Sequence, residues 1–536
     1  MRKIIILGFI FSLGFLLRFY HLGSNPPSLY WDEASLGYNT YTISTALRDE
    51  HGEYLPLARF IAFGDYKPPG YIYATVPFIL IFGVNEFAVR LPSMLAGALM
   101  VIVTYFLVKE LFKNDILAYL SSFFLAVSPW SIHMSRAAFE ANLAAFFNLL
   151  AIYLFIVGTR KKWIIIFSFI SFVLSFYTFN ANRIIAPILL LLLILLYRHD
   201  LRRNAKWFIF SLLFSAVLIF PSLSYLSTRE SRLRYQEVTI FNNLEPIELA
   251  NTRIATDGGN IFAKLIHNRR LIFFTDYLKH YFDNFTGRFL FTHGDVNPRL
   301  SVQDMGQLYM WDLPFLLIGL YLLVKQRTRS SVLIFSWMLI APIPAGTARE
   351  TPHALRILSI LPTFQIVIAC GVYQTVLWLK QRFSLRSVRI LLFLLSFLLS
   401  INLFYYLHIY HVHFPIKWSG EWQYGYKEMV NYVSRVEGSY DQIFVTTALG
   451  RPYIYFAFYN KYPLDKFLKE EEAQRDWFGF WEVRRLGKII FGGVGSSAYG
   501  KILVVAKPGK LSSEYRLLKV IKNLSGNDVF WIGEKT

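Results

Sequence analysis

The sequence predicts a mainly α-helical, polytopic membrane protein. Three observations carry that prediction: recurring apolar runs, scarce charge, and the one-sided placement of the basic residues. Of 536 residues, 55% are hydrophobic and 17% charged, with a mean hydropathy of +0.39. A soluble chain this long carries nearer a quarter charged residues. Apolar runs of about 17–25 residues, the length that crosses a ~30 Å hydrocarbon core, recur over most of the chain. The net charge of +20 sits in short loops between those runs, so no nucleic-acid partner is expected. The single cysteine, Cys370, lies inside an apolar run and leaves no disulfide framework.

The elements follow in order. Arg2 and Lys3 precede an apolar run at 4–20 with no small-residue cleavage site after it, which reads as an uncleaved anchor. Further spans are expected at 88–109, 115–133, 138–158, 164–179, 184–197, 207–226, 311–324, 331–346, 356–379 and 390–410, giving about eleven transmembrane helices. The segment "YIYATVPFILIFG", 71–83, is short for a crossing and contains Pro77, so it is expected to be interfacial or re-entrant. Parity supports this choice. With 71–83 left out, the loops on one side hold eighteen basic residues, from Arg2/Lys3 to Lys380/Arg382/Arg386/Arg389, against only Glu110, Asp115 and Asp200. The positive-inside rule makes that side cytoplasmic. The first loop 21–87, the stretch 227–310 and the tail 411–536 are then extracytoplasmic.

The tail has a different composition. "QIFVTT" and "KILVVAK" read as buried strands, and "GYKEMVNYVSRV" reads as a helix with Met429, Val430, Tyr432 and Val433 on its apolar side. A transmembrane domain, 1–410, followed by a small extracytoplasmic α/β domain, 411–536, is expected. Trp418 and Trp422 read as packing residues. The glycine-rich "GGVGSSAYG", 492–500, lacks a P-loop lysine and reads as a turn. The sequence has no dinucleotide fingerprint, Cys/His metal cluster or G-x-S-x-G elbow.

Chemistry concentrates in the outer loops. "LYWDEASLGY" places Asp32 and Glu33 where the chain leaves the first span, and acids at a membrane boundary are functional candidates by default. Leu36, Ile43 and Leu47 predict an interfacial amphipathic helix over 34–47, with Asp32 as its cap in the plainer reading. "GDYKPPG" holds Lys67 in a segment stiffened by two prolines, either an ordinary turn or a cation fixed for a phosphate. Arg90, His133, Arg136, Arg183, Arg349, His353 and Arg356 also fall at outer helix ends, and Glu140 follows Arg136. Each alone reads as a snorkelling residue. Together they suit a membrane-level anion such as a lipid phosphate.

These residues carry a resemblance. "RFYHL…P…WDE" after the first span, "YKPPGY" closing the first loop, "RLPSMLAGALMVIVTYFLVKELF" and "SPWSIHMSRAAFEAN" resemble GT-C glycosyltransferases, in the branch of protein O-mannosyltransferases and lipid A aminoarabinose transferases. "TPHALRILSILP" is also similar to a stretch in bacterial relatives. The resemblance implies a polyprenyl-phosphate-linked sugar as donor and a protein, lipid or glycan hydroxyl as acceptor, at the outer face of a plasma membrane. It implies Asp32 as catalytic base with Glu33 beside it, and Lys67 and Arg90 near the donor phosphate. The outer cations Arg136, Arg183, His353 and Arg356 are grouped with them. Glu140 falls where oligosaccharyltransferase relatives carry a second acidic motif. No cofactor is implied beyond an optional divalent cation, whose ligands stay open. The rival class is a transporter or flippase of lipid-linked glycans. Such proteins tend to show internal repeats and midplane charges, whereas here the acids gather at one face.

Overall fold

The computed structural model describes residues 2–63, 65–228, 230–475, 480–495 and 498–535. Most of it is helix. The first part of the chain runs α1 (Arg2–Phe19), α2 (Trp31–Ala46), β1 (Phe60–Ala62), β2 (Asp65–Lys67), α3 (Gly70–Phe82), α4 (Glu86–Phe112), α5 (Asp115–Val127), α6 (Pro129–Ser135), α7 (Glu140–Gly158), α8 (Ile165–Phe176) and α9 (Asn182–Leu196). Among the described residues, six helical stretches are long and apolar enough to cross a membrane: Glu86–Phe112, Glu140–Gly158, Ala205–Leu226, Arg329–Thr347, Leu358–Arg382 and Leu385–Lys417. The pair α5–α6, bent by 56°, supplies a seventh if it is one broken span. The expected spans at 164–179 and 184–197 appear as shorter apolar helices, Lys162–Phe176 and Asn182–Leu196. The protein is a multi-pass membrane protein.

The chain divides into two compact units. One comprises 1–17, 96–135 and 140–406; the other comprises 18–95, 136–139 and 407–536. In the first, α7 packs on α8, and helix Asp312–Gln326 packs on Thr363–Arg382. That second crossing is close because two glycines face opposing main chain. A Cβ on Gly319 would overlap the carbonyl of Val367, and one on Gly371 would overlap that of Phe315. Without a hydrophobic drive between helices in lipid, such backbone approach is how spans adhere. Arg269–Asp283 forms a helix whose Tyr277 hydroxyl donates to Ile343 O at 3.2 Å.

In the second unit, α2 packs against α3 and helix Pro452–Tyr459. Gly37 sits at this crossing, where a Cβ would overlap Phe458 and Val89. The sequence reading of 34–47 as an interfacial helix needs correction. Helix α2 starts at Trp31 and is buried on nearly every side, including Leu36, Asn39, Thr40 and Ile43. Its polar positions face protein rather than water. Leu47, expected on the apolar face, is instead the exposed left-handed residue that ends the helix. The segment 71–83 forms α3, thirteen residues and only about 20 Å long.

The tail builds a seven-stranded sheet from β3 (Gln442–Val445), β4 (Glu471–Arg475), β5 (Trp481–Leu486), β6 (Ile489–Phe491), β7 (Ile502–Ala506), β8 (Arg516–Lys522) and β9 (Asp528–Lys535), in the order β4-β5-β6-β3-β7-β9-β8. The strands expected from "QIFVTT" and "KILVVAK" are β3 and β7, which pair in parallel from Gln442↔Ile502. Central β3 also pairs in parallel with β6, and the remaining pairs are antiparallel. Both parallel strands are buried throughout, as a strand covered on two faces must be. The expected helix is Tyr426–Val436, with Met429, Val430 and Val433 buried, while Tyr432 is only half-buried. Of the glycine-rich stretch 492–500, Ser496 and Ser497 lie outside the described residues.

Candidate active site

Five of the residues singled out in the sequence come together in the second unit: Asp32, Glu33, Lys67, Arg90 and Arg136. Helix α2 opens from an extended Tyr30, whose side chain makes no cap. The Trp31 N–H is instead met by the Gln423 Oε1 at 2.8 Å, an oxygen that also accepts the Tyr455 hydroxyl at 2.6 Å. Asp32 therefore lies inside the first turn and does not cap the helix. Both acids occupy the turn where the helix dipole favours negative charge.

Neighbouring helical residues project about 100° apart, and the two carboxylates meet different surroundings. Glu33 is fully buried and takes a bidentate grip from Arg90, with Nε to Oε1 and Nη2 to Oε2 both at 3.0 Å. It also accepts the Ala138 N–H at 2.8 Å. Arg90 then donates Nη1 to Leu22 O and Pro26 O, at 3.1 and 2.8 Å, and Nη2 to Ser28 O at 2.6 Å. Its five N–H donors are all used within the protein, which leaves none for a phosphate. Arg136 is buried alongside, donating to Arg18 O, Tyr20 O and Asn25 O, with its guanidinium 5.2 Å from the Tyr410 ring centroid. These two arginines hold the loop 18–28 by its carbonyls.

Asp32 is different. Its side chain is 29% exposed, and its Oδ1 accepts the Lys67 Nζ at 2.6 Å, a short charge-assisted bond. Lys67 is 6% exposed. It closes β2 in a hairpin where Phe60 pairs with Lys67, and Pro68 and Pro69 lead directly into α3. A lysine stem fixed by a strand and two prolines loses little further entropy on holding an anion. The site thus presents one accessible carboxylate with a buried ammonium on it.

The remaining expected residues belong to the first unit. Glu140 opens α7, half-buried. The His133 Nε2 donates to Arg299 O at 2.8 Å. Arg183, in the first turn of α9, lies 5.7 and 5.8 Å from the Phe176 and Tyr225 ring centroids, and its Nε and Nη2 have no hydrogen-bond partner among the described residues. Arg356 donates Nη1 to Glu350 O, and the His353 N–H is accepted by Asn284 Oδ1. Asp295 organises this loop, accepting the N–H groups of Asn297 and Ala354; burial pushes its carboxyl up to about 6. Sequence reasoning missed Asp295, though it stands in the polar run "FTHGDVNPRL". It also missed Gln423 and Tyr455, which carry no periodicity or motif signal. Among the described residues, no three His, Cys, Asp or Glu side chains are gathered as a metal site.

Residues 8–232 match the family model described as dolichyl-phosphate-mannose-protein mannosyltransferase. The chain is also similar in structure to ArnT from Cupriavidus metallidurans. The match to its apo crystal structure has a TM-score of 0.56 at 11% identity, covering 99% of this chain and 97% of that one. The match to the same protein bound to undecaprenyl phosphate has a TM-score of 0.55 at 11% identity, covering 99% and 98%. Among curated proteins no sequence matches. The chain shares the fold of ArnT. Of the residues that the GT-C resemblance singles out in the first loop, the aspartate of "WDE" and the lysine of "YKPPGY" are joined by the fold in one ion pair.

Proposed function

We propose that this protein is a glycosyltransferase that moves a sugar from a polyprenyl-phosphate donor to an acceptor hydroxyl at the extracytoplasmic membrane face, with Asp32 as general base. The observation that carries this reading is the 2.6 Å bond between buried Lys67 and part-exposed Asp32, beside a Glu33 wholly engaged by Arg90. A sugar on a lipid phosphate already has its leaving group. The acceptor hydroxyl attacks the anomeric carbon, and its proton passes to a carboxylate within hydrogen-bond reach. The departing phosphate gains charge, which a preorganised ammonium stabilises. Lys67 serves both needs. Resting on Asp32 it neutralises a carboxylate in a partly dry site, and on turning toward the phosphate it leaves Asp32 free to take the proton. A single displacement of this kind inverts the anomeric configuration and forms no covalent enzyme intermediate. That ArnT has been crystallised with undecaprenyl phosphate supports the donor class. The basic loops support a cytoplasmic N-terminus with the first loop and tail outside. Arg183, with two buried donors open, is the cation in the first unit best placed to hold an anion there.

Two variants test the assignment in reconstituted vesicles. Asp32→Asn is expected to lower turnover by about 10²–10⁴ with donor affinity retained, the range for a general base. Lys67→Gln is expected to weaken donor binding by roughly tenfold or more, as loss of a charged hydrogen bond worth ~1.5–3 kcal/mol implies. Full turnover by Asp32→Asn removes it from the reaction, and unchanged donor affinity in Lys67→Gln moves the phosphate to another cation.

A further inference from the structure

The C-terminal sheet contains a crevice that the proposed reaction does not use. Strand β3 is flanked by two parallel neighbours reached in opposite directions. The chain leaves β3 for β6 through helices Pro452–Tyr459 and Leu464–Glu470 and the β4–β5 hairpin, then returns past β3 to β7. Parallel crossovers are right-handed, so connections running opposite ways along a sheet lie on opposite faces. Ala498, on the return, packs on the face formed by Phe444, Ile502, Val504 and Ala506, and the Tyr499 N–H is held by the Gln442 Oε1. The carboxyl ends of β6, β3 and β7 are thus a topological switch point, the position where open α/β sheets bind ligands.

A cavity of about 860 Å³ lies there. Thr446 and Thr447 follow β3, Gly492 and Gly493 follow β6, and Lys507 follows β7, with Lys510 and Lys535 also lining it. Gly492 has φ +143°, and a Cβ built on either glycine would meet no atom within 4 Å. The main chain there is open to close approach, and the backbone conformation at Gly492 is one that side chains rarely adopt. Lys535 is paired with Glu514, whereas Lys507 and Lys510 have no acidic partner among the described residues. The walls add Tyr499 and Tyr515 and the apolar stems of Ile502 and Val504. Unpaired ammonium groups recognise an anion, hydroxyls suit further oxygens, and tyrosine rings suit the C–H face of a sugar.

The geometry points to a second carbohydrate site in this domain, one that binds an acidic saccharide, a sugar bearing a phosphate or carboxylate. It takes the anion on Lys507 and Lys510 at the strand ends and the ring against the tyrosines. The test uses the full-length protein in detergent without donor. Saturation-transfer NMR with glucuronate and glucose 6-phosphate is expected to show contact at about 10 mM ligand, the millimolar affinity of a solvated site. Glucose should give little signal. The double variant Lys507→Gln/Lys510→Gln should lose most of it, while Asp32→Asn should retain it, so this outcome does not depend on the transfer reaction. Acetylation of Lys507 and Lys510, followed by mass spectrometry, should fall at least threefold with glucose 6-phosphate. A double variant that keeps the signal overturns the proposal. So does protection by inorganic phosphate or AMP equal to that by the sugar phosphate.

Discussion

Two carboxylates that leave one helical turn about 100° apart acquire opposite duties here, and the partner of each decides which. Glu33 meets a fully buried guanidinium in a two-pronged bond, and the same guanidinium ties three carbonyls of the loop 18–28. Removing one partner of a buried pair strands the other charge, at a cost of about 3–5 kcal/mol. Glu33→Gln is therefore expected to lower the yield of monodisperse protein and its melting temperature sharply. Adding Arg90→Met should recover part of the loss, because no orphan charge remains. A Glu33→Gln protein that melts like the wild type but transfers no sugar would make Glu33 a reacting group instead. At this scale the sequence was informative: Asp32 and Lys67 were singled out by residue type and the stiffness of "KPP". Arg90 was expected at the phosphate, and its role as a clamp was not legible. The loop carbonyls that occupy it come from a segment with no periodicity to read.

At the scale of elements, the C-terminal strands and helices were legible where hydrophobic runs were dense. "QIFV" and "ILVVA" announced β3 and β7, but β4, β5, β8 and β9 did not stand out, because each mixes charged and apolar residues on a half-exposed face. Helix α2 was misjudged for the converse reason. Asn39, Thr40 and Thr42 look like a wet face, yet each side chain bonds a main-chain carbonyl in the helix and is buried. The loop after α2 also meets β4 in an acidic cluster. The Glu50 Oε1 lies 3.5 Å from the His51 Nε2. Burial pushes Asp49 up to about 6 and Glu471 up to about 7, the latter partly offset by His51. His51 itself is raised, since Glu50, Asp49 and Glu471 together outweigh its burial. The signs agree. An acid raised in the folded state holds a proton that the unfolded chain has released, so stability falls as pH climbs from the ordinary carboxylate value through the folded one. A raised histidine likewise loses its contribution as pH passes upward through its folded pKa. Glu471→Gln is thus expected to melt about 2–4 °C above wild type at pH 8, after allowance for solvent screening, and no higher at pH 5. A gain that is equal at both pH values would assign the effect to packing rather than titration.

For the whole molecule, the distribution of charge predicts orientation more firmly than any helix boundary does. The long spans were visible because twenty apolar residues in a row have few alternatives in water. The short ones, such as Asn182–Leu196, blur into their flanking turns. Whether the thirteen-residue α3 crosses sets the predicted sidedness of everything after it. With α3 packed on α2 and read as interfacial, the basic loops near 109–113, 160–162, 198–206, 325–329 and 380–389 are predicted to share the side of Arg2 and Lys3. The positive-inside rule then predicts that those loops are cytoplasmic, because Lys and Arg near span ends resist translocation. On the proposed reading, Asp32, Lys67 and the C-terminal sheet lie outside. Reporter fusions check this directly. Alkaline phosphatase, active only outside the cytoplasm, is expected to be active when fused at the C-terminus or inserted near residue 54, and inactive at 161 or 327. β-Galactosidase should give the reverse pattern. Phosphatase activity at 161 with none at the C-terminus would place the Asp32–Lys67 pair in the cytosol, and a transfer reaction at the outer face would then be untenable.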